Sequence, residues 1–129
     1  MQKFNPEIIL HVAVFSRGKP QKHSFGAVCS DAAGNALVSV AKFVGMTQKF
    51  DAFNTAIKWS LEQAMRMQAE KIEIRVDDPS ILERVKPKSD IDVLLRGFRF
   101  YRTVRLEAEH EARSLAEKAQ HGWREILKK

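Results

Sequence analysis

Carboxylates that could hold a divalent cation are sparse at the strand ends that the sequence predicts. Asp77 and Asp78 directly follow the alternating segment 72–76, and Glu109 stands at the start of a predicted C-terminal helix. Mg²⁺ requires oxygen ligands, so a metal site needs several such groups to converge. Adjacent strand residues point to opposite faces, which sets Asp77 and Asp78 apart. The longest apolar run, Ile8–Phe15, displays no carboxylate at all.

A second segment combines arginines at every third residue with aromatic side chains between them. Arginine binds phosphate through paired hydrogen bonds and aromatic rings stack on bases, so the pattern is typical of nucleic-acid binding. The same pattern also fits aromatics that fill a core beneath a solvated basic face. Both interpretations remain open. The arginines are Arg96, Arg99, Arg102 and Arg105, and the aromatics are Phe98, Phe100 and Tyr101.

The elements that would position these side chains follow from the spacing of apolar residues. Ile8–Phe15 is apolar and rich in β-branched residues, which predicts a central strand buried on both faces. Short polar turns separate it from two further strands, an antiparallel meander. Apolar residues at three- and four-residue spacing then predict a helix over 51–68. The remaining predictions are strands at 23–30, 36–43, 72–76 and 103–106, short helices at 80–85 and 90–95, and a long helix over 109–127.

Length and composition are those of one α/β domain covering residues 1–129. The chain has 44% hydrophobic and 29% charged residues, without repeats or a dividing linker. No segment approaches the roughly 20 apolar residues of a membrane helix, so no membrane partner is expected. The single cysteine, Cys29, lies in a predicted strand and fits a buried side chain in a reducing, cytoplasmic compartment. The net charge of +6 favours phosphate-bearing partners.

Several short motifs occur in a definite order along the chain. They are SRGKP at 16–20 with GAV at 26–28, AFNTAIKWSLEQA at 52–64, IEIRVDD at 72–78, and ARSLA at 112–116. Together with the order of elements, they resemble the ribonuclease H family over nearly the whole chain. The resemblance implies a ribonuclease H-like mixed five-stranded sheet: three antiparallel strands, then helix, strand, helix and strand. A long C-terminal helix follows.

The resemblance also points to four positions at which that family carries metal-binding acids. The family cleaves the RNA strand of RNA–DNA hybrids with two divalent metals, and its acids correspond here to Ala13, Phe53, Asp77 and Arg113. Ala13 and Phe53 have no ligand atom, and Arg113 places a positive charge where a cation would sit. If Arg113 faces Asp77, the two should pair. The pattern favours a protein that is not an enzyme and that needs no cofactor.

Three functions therefore remain for comparison. The first is an inactive domain that binds RNA–DNA hybrid or duplex nucleic acid through backbone phosphates. The second is a structural or protein-interaction module that forms homo-oligomers, with Phe53 in place of a metal ligand of the family. The third is a hybrid-cleaving endoribonuclease whose Mg²⁺ or Mn²⁺ site is rebuilt from Asp77, Asp78 and Glu109. For the first, the expected nucleic-acid contacts are Arg17, Lys19, Arg96, Arg99, Arg102 and Arg113.

Overall fold

A mixed five-stranded sheet organises the computed structural model, which describes residues 5–108 and 110–120. The strand order is β3-β2-β1-β4-β5, with β1, β2 and β3 antiparallel and β4 and β5 parallel to β1. The predicted meander, crossover and central first strand are confirmed. The strands are β1 (Ile8–Arg17), β2 (Lys22–Asp31), β3 (Ala36–Gly45), β4 (Lys71–Val76) and β5 (Phe100–Arg105). The helices are α1 (Lys49–Arg66), a 3₁₀ helix (Pro79–Arg84), α2 (Asp90–Arg96) and α3 (Glu111–Ala119).

The two faces of β1 serve different helices. Leu10 and Val12 belong to the main hydrophobic core together with residues of α1. Ala13, on the opposite face, packs in a smaller cluster with Ala112 and Ala116 of α3. Cys29 of β2 is fully buried, as predicted, and burial raises the pKa of its thiol to about 12.

α3 approaches β2 unusually closely at Gly26. A Cβ atom at this position would lie 2.6 Å from the backbone nitrogen of Ala116, a distance that real Cβ atoms do not adopt. The hydroxyl of Ser24 donates a hydrogen bond to the carbonyl of Ala116. Glycine at position 26 therefore sets how near α3 lies to the sheet.

One predicted boundary needs correction, the start of β5, while the other predicted ends that fall on described residues lie within two residues of the observed ones. β5 begins at Phe100 rather than at residue 103, because the amide of Phe100 already donates to the carbonyl of Glu70 (3.1 Å). The final helix is described over Glu111–Ala119. Glu109 and the predicted helical stretch beyond residue 120 lie outside the described residues. None of the described helices has the length and apolar character to span a membrane.

Candidate functional site

The four positions singled out by the motifs lie at one end of the sheet. Asp77 directly follows the last residue of β4, and Phe53 of α1 lines a pocket together with it. Arg113 lies in the first turn of α3 and reaches Asp77. Ala13 of β1 packs beneath the start of α3. The topology thus brings residues from four separate elements together.

Arg113 is fixed by hydrogen bonds from all three of its guanidinium nitrogens. Nη1 forms an ion pair with the carboxylate of Asp77, which confirms the conditional prediction. Nε donates to the carbonyl of Glu107 (2.8 Å) and Nη2 to the carbonyl of Leu106 (3.1 Å). The side chains of Arg113 and Asp77 remain 35% and 25% exposed, so the pair is accessible from solvent.

The neighbouring positions are apolar or already engaged. Ala13 and Phe53 are 1% and 3% exposed, and Phe53 is part of the main core. The carboxylate of Asp78 caps the 3₁₀ helix, accepting hydrogen bonds from the hydroxyl (2.6 Å) and amide (3.1 Å) of Ser80. These hydrogen bonds lower the pKa of Asp78, and nearby arginines contribute further. Within residues 5–108 and 110–120, no three His, Cys, Asp or Glu side chains are grouped to hold a metal.

Three further cations surround this site: Arg105 belongs to the arginine–aromatic segment, whereas Lys49 and Arg84 were not predicted as site residues. Arg105 donates to the carbonyl of Asp77 (2.8 Å). Lys49 and Arg84 line a pocket of about 200 Å³ that also contains Asp77 and Asp78. Their sequence numbers are far apart, so only the folded topology reveals the cluster. We call this group the cleft; it comprises Lys49, Arg84, Arg105, Arg113, Asp77 and Asp78.

The basic residues predicted to bind nucleic acid do not form one surface. Arg17 and Lys19 lie in the exposed β1–β2 hairpin. Arg96 pairs with Asp92 (3.3 Å), whereas Arg99 lies 5.5 Å from the ring centre of Phe100. The two interpretations of the aromatics apply to different residues. Phe98 is buried and fills the core, whereas Phe100 and Tyr101 are 49% and 47% exposed.

Arg102 belongs to a separate cluster around Glu73. The Glu73 carboxylate is 2% exposed and bonds Arg75 (2.6 Å) and Arg102 (2.5 Å). Arg75 also pairs with Glu107 (2.7 Å). Burial raises the pKa of Glu73, but the hydrogen bonds from Arg75 and Arg102 outweigh it and lower the pKa overall. Glu73 is therefore held as a carboxylate with two guanidinium groups.

A stacked histidine pair lies beside this cluster. The rings of His11 and His110 are 3.8 Å apart at 10°, and His110 caps α3 by accepting the amide of Ala112 (3.0 Å). His11 is buried and its Nε2 lies 3.3 Å from Ser30 Oγ, but its Nδ1 has no hydrogen-bond partner among the described residues. Burial, with His110 and Arg75 nearby, lowers the pKa of His11 to about 3.

The sequence profile of the reverse transcriptase-like family matches residues 12–119, which is most of the chain. The chain therefore belongs to this family, and with it to the ribonuclease H family that its motifs resemble. No curated protein matches the chain significantly.

Solved structures share the fold at low sequence identity. Ribonuclease H1 from Halobacterium salinarum is 22% identical with a TM-score of 0.73, over 90% of this chain and 98% of that one. LC11 ribonuclease H1, solved in complex with an RNA/DNA hybrid, is 21% identical with a TM-score of 0.72, over 89% and 97%. The foamy viral protease–reverse transcriptase with RNA/DNA hybrid is 13% identical with a TM-score of 0.75, over 95% of this chain and 21% of that one. These similarities establish the predicted mixed α/β architecture.

Proposed function

We propose that this protein is a non-catalytic ribonuclease H-like domain that binds RNA–DNA hybrid or duplex nucleic acid through backbone phosphates at the cleft. The observation that carries the proposal is the ion pair between Arg113 and Asp77. It places a fixed positive charge on the one acid that remains at the four family positions. The fold supports a nucleic-acid partner, since similar structures have been solved with RNA/DNA hybrid.

The side chains at these positions do not fit a pair of divalent cations. Two such ions need several oxygen ligands around them. Ala13 and Phe53 supply no oxygen, and the Arg113 guanidinium bonds the only carboxylate. Asp78 is committed to capping the 3₁₀ helix, which leaves it poorly placed to rebuild a metal site. We therefore expect binding that is independent of Mg²⁺ and Mn²⁺.

The charge of the cleft suits a phosphate backbone. Lys49, Arg84, Arg105 and Arg113 outnumber the two carboxylates, and loss of the family acids removes repulsion against phosphate. Because the Arg113–Asp77 pair is partly exposed, a phosphate can share or replace the carboxylate as the partner of Arg113. Arg17 and Lys19 in the hairpin offer further contacts along a duplex.

The test is a binding titration on labelled RNA–DNA hybrid at about 50 mM and 200 mM KCl, with Mg²⁺ or with EDTA, followed by gel analysis of the products. We expect binding that weakens with salt, no cleavage, and no effect of EDTA. Arg84→Gln and Arg105→Gln should each reduce the slope of log affinity against log salt by about one. Arg66→Gln is the matched control, because Arg66 lies at the far end of α1, roughly 26 Å from Lys49.

Two results would contradict the proposal. Cleavage of the hybrid that Asp77→Asn abolishes would mean that a metal site is rebuilt. Failure to bind hybrid or duplex at the lower salt concentration would remove the nucleic-acid function at the cleft.

A further inference from the structure

One part of the sheet carries exposed charged and aromatic side chains on the same side as α3. α3 packs against β1, β2 and β3. Beyond it, β4 and β5 present side chains that remain accessible: Phe100 is 49% exposed and the Arg102 side chain 48%. We call this surface the open face; it comprises Lys71, Glu73, Arg75, Phe100 and Arg102, with Arg99 at its edge.

The open face places the guanidinium groups of Arg75 and Arg102 near an aromatic ring. Glu73 lies beneath Arg75 and Arg102 and bonds both, which keeps their long side chains against the sheet. Lys71 of β4 and Arg99, next to β5, lie over the Phe100 ring, 5.7 Å and 5.5 Å from its centre. Arginine planes and aromatic rings both stack on unpaired bases, and the cations around them attract phosphate.

A polar pocket of about 350 Å³ adjoins the open face. His11, Ser30, Arg75, Glu107 and His110 line it. The pocket contains an unused hydrogen-bonding atom, because the buried Nδ1 of His11 lacks a partner among the described residues. Phe100 and His11 are two strand spacings and four residues apart in register, which is about 16 Å. The surface is thus large enough for more than one nucleotide.

The Phe100 part of the open face and the cleft lie towards opposite ends of β4. Phe100 is paired with Lys71, the first residue of β4, whereas Asp77 directly follows the last. The six residue steps from Lys71 to Asp77 separate these points by about 20 Å. A strand on the open face therefore need not displace a duplex at the cleft.

The geometry points to the open face as a second site, one that binds single-stranded nucleic acid by stacking bases on Phe100 and on the guanidinium groups of Arg75 and Arg102. A duplex hides its bases within the stack and cannot use such a surface, whereas a single strand can. The inference rests on the nucleic-acid function proposed above but uses a different surface. The molecule would then hold a duplex and a single strand at the same time.

The experiment measures fluorescence anisotropy of labelled single strands of about 12 nucleotides, as RNA and as DNA, beside the labelled hybrid. We expect Phe100→Ala to weaken single-strand binding at least about fivefold and Phe100→Trp to preserve it. Phe43→Ala is the matched control, since Phe43 is 43% exposed on the other edge strand, and it should change affinity by less than about twofold. Arg99→Gln should lower the salt slope by about 0.7.

The cleft variants separate this inference from the proposed function. Arg84→Gln should weaken hybrid binding and spare the single strand, Phe100→Ala should do the reverse, and excess unlabelled hybrid should not displace the single strand. Hybrid binding without single-strand binding would overturn the second site and leave the proposed function intact. Single-strand binding without hybrid binding would overturn the proposed function at the cleft and leave the second site intact. Equal losses of both probes on Phe100→Ala would mean one shared surface and would also overturn the inference.

Discussion

Arginine and carboxylate meet at both ends of β4, but in different arrangements. At the carboxyl end, Arg113 and Arg105 contact Asp77, whose side chain is 25% exposed beside a pocket. Nearer the amino end, Glu73 is 2% exposed and lies beneath two guanidinium groups. One carboxylate is thus accessible to competitors, and the other is covered by its own partners.

The difference shows how burial decides what an ion pair does. A partly exposed pair is weakly stabilising and can exchange its carboxylate for a phosphate at little cost. A buried carboxylate loses much more if its partners leave, so its arginines stay in place and expose their outer faces. On this view, the exposed ion pair of the cleft rearranges when a ligand binds, whereas the arginines of the open face are already held in place before binding.

The largest expected effect concerns the two acids. Glu73→Gln should lower the free energy of unfolding by about 3 kcal/mol, because it removes the buried charge that holds Arg75 and Arg102. Asp77→Asn, the matched change at the cleft, should cost about 1 kcal/mol or less. Urea denaturation of both variants measures the difference. Similar losses would show that burial does not distinguish the two ion pairs.

A change beneath α3 should affect the two ends unequally. Gly26→Ala forces α3 away from β2, and we expect a loss of about 2 kcal/mol in the free energy of unfolding. Hybrid binding should fall, since Arg113 moves with α3, while single-strand binding stays unchanged. Gly97→Ala is the control, because its added methyl meets the flexible end of Met65. Equal weakening of both ligands by Gly26→Ala would mean that the open face also depends on α3.

A gradual effect is expected from the histidine pair, as a dependence of stability on pH. The pKa of His11 in the folded chain is about 3, against 6.5 for an ordinary histidine, so between these values the unfolded chain binds a proton that the folded chain does not. Stability should therefore fall as pH drops through this window, by about 1.4 kcal/mol per pH unit from His11. His110, whose pKa is also lowered, adds to the slope.

The measurement is the free energy of unfolding from pH 7 to 5, where most carboxylates keep their charge. His11→Phe retains an aromatic ring on His110. It should reduce the slope of stability against pH by the contribution of one proton, about 1.4 kcal/mol per pH unit. An unchanged slope in that variant would contradict the assignment to His11.

The fold was predictable where burial leaves a periodic signal. The apolar run of β1 and the spacing of Phe53, Ile57 and Leu61 in α1 each follow directly from contact with the core. The start of β5 was not predictable, because Phe100, Tyr101 and Arg102 lie on an exposed edge strand that lacks alternating apolar residues. Edge strands of this kind are fixed by pairing to their neighbour rather than by burial.

The candidate site was predictable only in part, for a similar reason. The motifs led to Arg113 and Asp77, because their family positions are known from local sequence. Lys49 and Arg84 become neighbours only through the crossover from α1 to β4. Glu73 was not predicted as a site residue, since its environment depends on cross-strand Arg102 and on Arg75 two residues along.

The buried thiol of Cys29 has a practical consequence for experiments on this molecule. It is the only cysteine in the chain, it is fully buried, and its pKa near 12 leaves almost no thiolate at neutral pH. Maleimide reagents should therefore not modify the folded wild-type chain. A cysteine introduced at an exposed position such as Lys118 would then be a unique attachment point, so a fluorescent dye could be placed on α3 without first replacing Cys29.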